Sequence, residues 1–78
     1  MNSRIMYVML ENLPPSGTRI DTDHLIENVL EDCRVLKISA TRGDIELYLK
    51  QLNEKQYVVT FSTGVTGLTR FGEVNWNT

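Results

Sequence analysis

Residues 5–10 form an unbroken run of six apolar side chains, Ile-Met-Tyr-Val-Met-Leu, near the start of the chain. A strand alternates its side chains between two faces, so a continuous run of this length predicts a strand that is buried on both sides. Two prolines and a glycine follow within residues 13–17, and they cannot continue a sheet, so we expect this strand to end near Glu11. The rest of the chain must cover both sides of the strand or leave one side for a partner.

One segment has the period of an amphipathic helix. Asp21 or Thr22 suits the N-cap position, and Asp23 in the first turn is favoured by the helix dipole. These signals predict a helix over residues 22–33. At about 100° per residue, its apolar side chains fall within an arc of about 140°. They are Leu25, Ile26, Val29, Leu30 and Cys33.

The remaining segments favour strands. Residues 34–41 alternate between apolar and polar side chains and end at an Arg-Gly-Asp turn. Residues 45–50 alternate again and predict the second strand of a hairpin, although residues 45–52 also permit a helical turn. The β-branched and aromatic side chains of residues 57–61 predict a further strand, and a weaker one, interrupted by a glycine, is expected over residues 68–76.

These elements predict one domain over residues 1–78 with the order β-α-β-β-β. We expect an α+β fold of two layers: a mostly antiparallel, four- to five-stranded sheet with one amphipathic helix on one face. A helix covers only one face of a sheet, so the other face is left for solvent, for a partner, or for the chain itself. The chain's own candidates for that cover are the loop at residues 13–15 and the C-terminal segment with Phe71 and Trp76.

Length and charge narrow the class of partner. A chain of 78 residues buries only about 60–65% of its unfolded surface, so its core is small and association would help it. The net charge of −2 argues against general nucleic-acid affinity, which depends on a surplus of Lys and Arg. The apolar run is too short to cross a membrane. We therefore expect a protein partner, with a homodimer as one form of it.

No catalytic group is evident in the sequence, so we predict no enzyme, no metal and no cofactor. His24 is the only histidine and has no second ligand at metal spacing. Cys33 is the only cysteine and lies in the apolar stripe of the helix, which favours a buried hydrophobe over a nucleophile. A lone cysteine cannot form an internal disulfide, which suits a reducing, cytoplasmic setting.

Two surfaces are predicted to bind a partner. Asp23, Glu27 and Glu31 stand four residues apart and form an acidic ridge along one edge of the helix. This acidic ridge is either a solvated face or a docking site for a basic surface, such as the nucleic-acid channel of a larger protein. The second surface is the uncovered face of the sheet. Its predicted residues are Tyr7, Lys37, Tyr48, Lys50 and Val58.

The leading hypothesis is a non-enzymatic protein-binding module, such as a small inhibitor or accessory factor. One alternative is a structural homodimer joined through the strand at residues 5–10. Another is an RNA binder, because residues 8–14, Val-Met-Leu-Glu-Asn-Leu-Pro, resemble the first signature strand of RNA-recognition-motif proteins. That resemblance implies an open sheet on which RNA bases stack, with Met9 at the family's aromatic position. Residues 55–61 lack the glycine of the family's second signature.

Overall fold

The computed structural model describes residues 3–75, which form four helices and one three-stranded antiparallel sheet. The central strand of the sheet is the third of these strands in sequence order. The predicted α+β class is confirmed in general, but the four- to five-stranded sheet with a single helix is wrong. The elements are α1 (Ser3–Glu11), β1 (Ile20–Asp21), α2 (Thr22–Val35), α3 (Arg42–Glu54), β2 (Val58–Thr60), β3 (Val65–Leu68) and α4 (Arg70–Asn75).

The apolar run at residues 5–10 lies in helix α1, so the strand predicted there is wrong. Ile5 and Met9, four residues apart, are 3% and 0% exposed, and α1 packs against both α2 and α3. An unbroken apolar run carries no period that separates a buried strand from a buried helix. Met and Leu favour the helix, and the cover that the run requires comes from two other helices.

Helix α2 confirms the predicted helix at residues 22–33 and continues to Val35. Asp21 is its N-cap, and its carboxylate accepts a hydrogen bond from the backbone N–H of His24 at 3.1 Å. The predicted apolar stripe faces the core. Leu25, Ile26, Val29 and Cys33 are buried, and Leu30 is half-buried against them.

Residues 34–41 contain the end of α2 and a connection to α3, so the strand predicted there is wrong. The backbone N–H of Lys37 donates to the Arg34 carbonyl at 3.1 Å, and that of Ile38 donates to the Cys33 carbonyl at 2.7 Å. This pair of hydrogen bonds is a Schellman motif, in which Lys37 takes the left-handed position with φ of 59°. Ile38 is buried, whereas Leu36 is 52% exposed and does not join the core.

Helix α3 spans the residues for which the sequence pattern predicted a turn and then a strand, so that prediction is wrong. The Thr41 hydroxyl accepts a hydrogen bond from the Asp44 N–H at 3.2 Å, and the Asp44 carboxylate accepts one from the Thr41 N–H at 2.9 Å. This capping box starts the helix. Leu47 is 54% exposed because it falls on the opposite side of α3 from the buried residues. The buried residues are Ile45, Leu49 and Leu52.

Strand β2 confirms the strand predicted at residues 57–61, and β3 pairs with both β2 and β1. The strand expected over residues 68–76 is wrong, since β3 ends at Leu68 and α4 follows; Trp76 lies outside the described residues. Phe71 of the C-terminal segment is 54% exposed and contacts only the ring of Tyr57 among the described aromatic side chains, with ring centroids 5.7 Å apart. Gly72 lies in α4 against the Tyr57 carbonyl oxygen, which leaves no room for a Cβ atom.

The end of α3 repeats the motif at the end of α2. Gln56 has φ of 65°, its N–H donates to the Asn53 carbonyl, and the N–H of Tyr57 donates to the Leu52 carbonyl. A left-handed conformation costs an L-residue about 1–2 kcal/mol, whereas glycine adopts it freely. We therefore expect Gln56→Gly to raise the free energy of unfolding by about 0.5–1 kcal/mol, as measured by urea denaturation.

Lys55→Gly is the matched control for this prediction, because Lys55 is the neighbouring residue and has an ordinary helical φ of −80°. Glycine there loses backbone entropy without relieving strain, so the free energy of unfolding should fall. If the free energy of unfolding falls by a similar amount in both variants, Gln56 does not have the left-handed conformation.

Candidate functional site

A groove of about 450 Å³ runs along one side of α3, between the first turn of α2 and strand β2. We call it the α3 groove. Arg42, Glu46 and Lys50 stand four residues apart and therefore line the same side of α3. Thr22 and Asp23 border the groove on the α2 side, and Asn53 and Thr60 close it near the sheet.

Arg42 is the charged residue that joins the two helices across this groove. Its guanidinium pairs with the carboxylate of Asp23 in α2, and its Nε lies 3.7 Å from a carboxylate oxygen of Glu46. The Arg42 and Asp23 side chains are 47% and 75% exposed, so the pair contributes well under about 1 kcal/mol to stability. The guanidinium is therefore positioned at the start of α3 but remains accessible to a ligand.

A buried hydroxyl holds the sheet in place beside α3. Thr66 of β3 is 0% exposed, and its Oγ1 lies 2.8 Å from Oγ1 of Thr22 and 3.2 Å from Oγ1 of Thr60. Asn53 extends this network into α3, because its amide donates to Oγ1 of Thr60 at 2.9 Å and to the Leu49 carbonyl at 3.0 Å. The Thr60 N–H in turn donates to Oδ1 of Asn53 at 3.0 Å. These bonds tie together the start of α2, the end of α3 and the hairpin.

The hairpin loop between β2 and β3 lies next to the α3 groove. The N–H of Thr22 donates to the Gly64 carbonyl at 2.8 Å, which fixes the loop against the start of α2. Gly64 has φ of 90°, a conformation that glycine adopts without strain. The guanidinium carbon of Arg19 lies 4.2 Å from the centroid of the Phe61 ring at the base of the loop. The Arg19 cation therefore lies at the base of the hairpin loop, whose Ser62 and Thr63 are exposed.

A second groove is mainly apolar and lies between α1 and the α2–α3 connection. It has a volume of about 350 Å³. Tyr7 and Leu36 are 55% and 52% exposed there, so two large apolar side chains face solvent. We call it the apolar groove. Its lining residues are Arg4, Tyr7, Val8, Leu36 and Ile38.

The three residues of the acidic ridge lie on α2 and are exposed, as the sequence pattern predicted. Two of them form ion pairs with arginines that lie beyond the helix predicted at residues 22–33. Glu31 pairs with Arg34 in the last turn of α2, and Asp23 pairs with Arg42 in α3. The ridge is therefore partly neutralised, and its role in binding a partner remains a prediction.

The residues predicted to share an open sheet face do not share one. Tyr7 lies in α1, Lys37 in the connection after α2, and Tyr48 and Lys50 in α3. Val58 does lie in the sheet, but it is 2% exposed and faces the core. Of this set, the structure brings Lys50 to the α3 groove and Tyr7 to the apolar groove.

The resemblance to RNA-recognition-motif proteins does not extend to the structure. Its first signature falls on α1 and the turn after it, where Met9 is 0% exposed. Met9 therefore cannot present a side chain to a base on a sheet surface.

Within residues 3–75, two ionisable groups have shifted pKa values. Burial, aided by the charge of Asp32, raises the pKa of the Cys33 thiol, which disfavours the nucleophilic thiolate. A hydrogen bond from the Ser16 N–H, 2.9 Å from Oε2 of Glu73, lowers the pKa of that carboxyl. Over residues 3–75, no group of three metal-ligating side chains is present. In the same range no helix has the length and apolar character needed to cross a membrane.

Sequence reasoning missed the α3 groove because it assigned residues 42–44 to a turn. A signal was present: Thr41 and Asp44 have the spacing of a capping box, and apolar residues follow at helical intervals. Arg42 and Glu46 acquire a common side only once this segment is helical.

Comparison of the chain with protein-family models, with curated proteins and with solved structures gave no match.

The hydroxyl of Thr66 provides a test of how the hairpin is fixed to α3. Thr66→Val removes the hydroxyl at nearly constant volume and takes a hydrogen-bond partner from both Thr22 and Thr60. We expect the free energy of unfolding to fall by about 1–3 kcal/mol in urea denaturation. Thr63→Val is the control, because Thr63 is exposed in the hairpin loop, and it should change stability by less than about 0.5 kcal/mol. Equal effects of the two substitutions would contradict the proposed importance of the network.

Proposed function

We propose that this chain is a non-enzymatic, duplex-nucleic-acid-binding module in which α3 enters the major groove and the β2–β3 hairpin contacts the backbone. The observation that carries the proposal is the order of two helices, a short connection at residues 36–41 and an adjoining β-hairpin. This order resembles that of winged helix-turn-helix proteins. In helix-turn-helix proteins the second helix reads the major groove while the first crosses the backbone. What is shared is the motif alone, and the remaining support comes from the side chains of the α3 groove.

The α3 groove presents side chains that suit base edges. Arg42 lies in the first turn of α3, and in helix-turn-helix proteins the N-terminal residues of the second helix reach the bases. An arginine can donate two hydrogen bonds to guanine, and a carboxylate such as that of Glu46 can accept from the cytosine amino group. Leu47 is exposed on α3 outside the lining of the α3 groove, and it suits apolar contact with a thymine methyl group.

Phosphate contacts would come from the edges of the same surface. Lys50 lies two turns beyond Arg42 on α3, and Arg19 stands at the base of the hairpin loop. The hydroxyls of Ser62 and Thr63 at the loop tip add neutral donors, and contacts of these types position a protein on a duplex. The Thr66 network supports simultaneous contact because it fixes the hairpin relative to α3.

The net charge of −2 opposes binding and sets its expected strength. Only a few cations lie near the α3 groove, so few counterions would be released from the duplex. We therefore expect micromolar affinity at low salt that weakens as salt is raised. Selectivity would depend on Arg42, which Asp23 holds in the free protein.

Anisotropy titration of fluorescent duplex DNA tests the proposal. At low salt, Arg42→Ala and Lys50→Ala should each weaken binding at least about fivefold, and each lost phosphate contact should reduce the salt slope by about 0.9. The matched controls are Arg34→Ala and Lys37→Ala, which remove the same charges from exposed positions outside the α3 groove. Absence of binding at low salt, or equal losses in all four variants, would rule the proposal out.

The ion pair between Asp23 and Arg42 leads to a second prediction, in which a substitution strengthens DNA binding instead of weakening it. Asp23→Asn removes the carboxylate that competes with DNA for the guanidinium, so the affinity for duplex DNA should rise about two- to fivefold. Glu31→Gln is its control, because it removes the same charge from the pair with Arg34. If both variants raise affinity equally, net charge is the cause and Arg42 has no special role.

A second candidate function is a small inhibitor or accessory protein that binds a basic protein surface, and the exposed acidic ridge favours it. Changing Asp23, Glu27 and Glu31 together to Gln should abolish capture of such a partner while circular dichroism shows an intact helical fold. Changing the exposed Glu11, Glu46 and Glu54 to Gln is the control with equal charge. If the variant with the changed acidic ridge still binds the partner, the ridge is a solvated face with no role in binding.

For location, we propose a cytoplasmic setting. Cys33 is buried among the core residues of α2 as a free thiol, and a reducing compartment would keep it so.

A further inference from the structure

The exposed side of α1 carries a stripe whose two ends have opposite charge. Arg4, Tyr7 and Glu11 are all exposed, whereas Ile5 and Met9 on the other side are buried. At about 100° per residue, the three exposed side chains fall within an arc of about 60°, so they form one line along the helix. We call this line the α1 stripe.

The α1 stripe is complementary to itself. Arg4 lies three residues before Tyr7, and Glu11 lies three residues after Val8, so the two charges are symmetric about the peptide bond between Tyr7 and Val8. A second α1 placed antiparallel across a two-fold axis at that bond would oppose each Arg4 with a Glu11. A second copy of α1 has the complementary order of charges by symmetry. A partner of different sequence would need to have that order independently.

The apolar groove supplies the contact area beside the stripe. Tyr7 belongs to both features, and Val8, Leu36 and Ile38 line the groove next to it. Val35 precedes Leu36 in the chain and is 69% exposed. Val8 and Ile38 are already buried, so the gain from a second copy would come from removing Tyr7 and Leu36 from water.

We propose that the α1 stripe and the apolar groove form the interface with a second copy of the chain, with the two α1 helices antiparallel across a two-fold axis. This interface replaces the dimer expected from a strand at residues 5–10, because that segment is helical and its exposed residue is Tyr7, which lies between Arg4 and Glu11. The proposal does not depend on nucleic-acid binding. If both proposals hold, the two-fold axis would relate two copies of α3, as in helix-turn-helix dimers on palindromic sites.

Sedimentation equilibrium without nucleic acid tests the interface. Few exposed apolar side chains take part in the contact, which suits a weak dimer, so the average mass should rise from 8.9 kDa toward twice that value between about 10 and 500 µM protein. Arg4→Glu alone opposes two carboxylates at each end of the α1 pair, and Glu11→Arg alone opposes two guanidinium groups. Each should raise the dimer dissociation constant at least about fivefold.

The variant with both Arg4→Glu and Glu11→Arg restores opposite charges in the antiparallel arrangement. Its dissociation constant should return to within about twofold of the original value. The double change also places an acid in the first turn of α1 and a base in the last, which favours the helix dipole, so any remaining loss would not come from a weaker helix. Glu27→Arg on α2 is the control for a charge reversal outside the interface.

A chain that stays monomeric over the whole range would overturn the proposal. So would a dimer insensitive to both single reversals, or single reversals that weaken it without recovery in the double variant. Thermal unfolding followed by circular dichroism checks that each variant is folded before its mass is interpreted. Failure here would leave the DNA titrations unaffected, so the interface and the proposed function can fail independently.

Discussion

The structure depends on the burial of apolar side chains where α1, α2 and α3 meet. Met9 of α1, Leu25 and Val29 of α2, and Ile45 and Leu52 of α3 are all 0% exposed. A small chain buries few residues this completely, so these contacts set how the three helices lie relative to one another. The position of α3 as an exposed helix with one buried side follows from this packing.

The sheet contributes less to the core and more to the surface that we assign to nucleic acid. It contains only short strands, and its central strand buries one hydroxyl, that of Thr66, between α2, β2 and the end of α3. A buried hydroxyl is tolerated when its hydrogen bonds are made, and here those bonds also define where the hairpin lies. The same residues that satisfy Thr66 border the α3 groove, so stability and surface geometry are linked at this point.

The distribution of charge matters more for function than its total. The total of −2 favours a protein partner over nucleic acid. Folding gives the cations defined positions: Arg42 and Lys50 line the α3 groove together with Asp23 and Glu46, and Arg19 lies over the Phe61 ring at the hairpin. The acidic ridge remains along α2. Asp23 belongs to the ridge and also borders the groove, so it connects the two surfaces through its pair with Arg42.

The sequence by itself determined the elements whose signals are local. The helix α2 follows from the Asp21 cap and a five-residue apolar stripe, and β2 follows from β-branched residues between polar loops. Only the tertiary structure decided the state of residues 5–10 and 45–50, because an apolar run and a short alternation each fit both a helix and a strand. Packing against α2 resolved the ambiguity in favour of helices, and that choice turned Leu47 outward and gave Arg42, Glu46 and Lys50 a common side. The acidic ridge was visible in the sequence because its spacing lies within one helix. The α1 stripe was not, since it requires a helix that only contacts between distant segments could establish. The capping box of α3 was a local signal, but the α3 groove also requires α2 and β2 beside that helix, and only the tertiary structure brings them there.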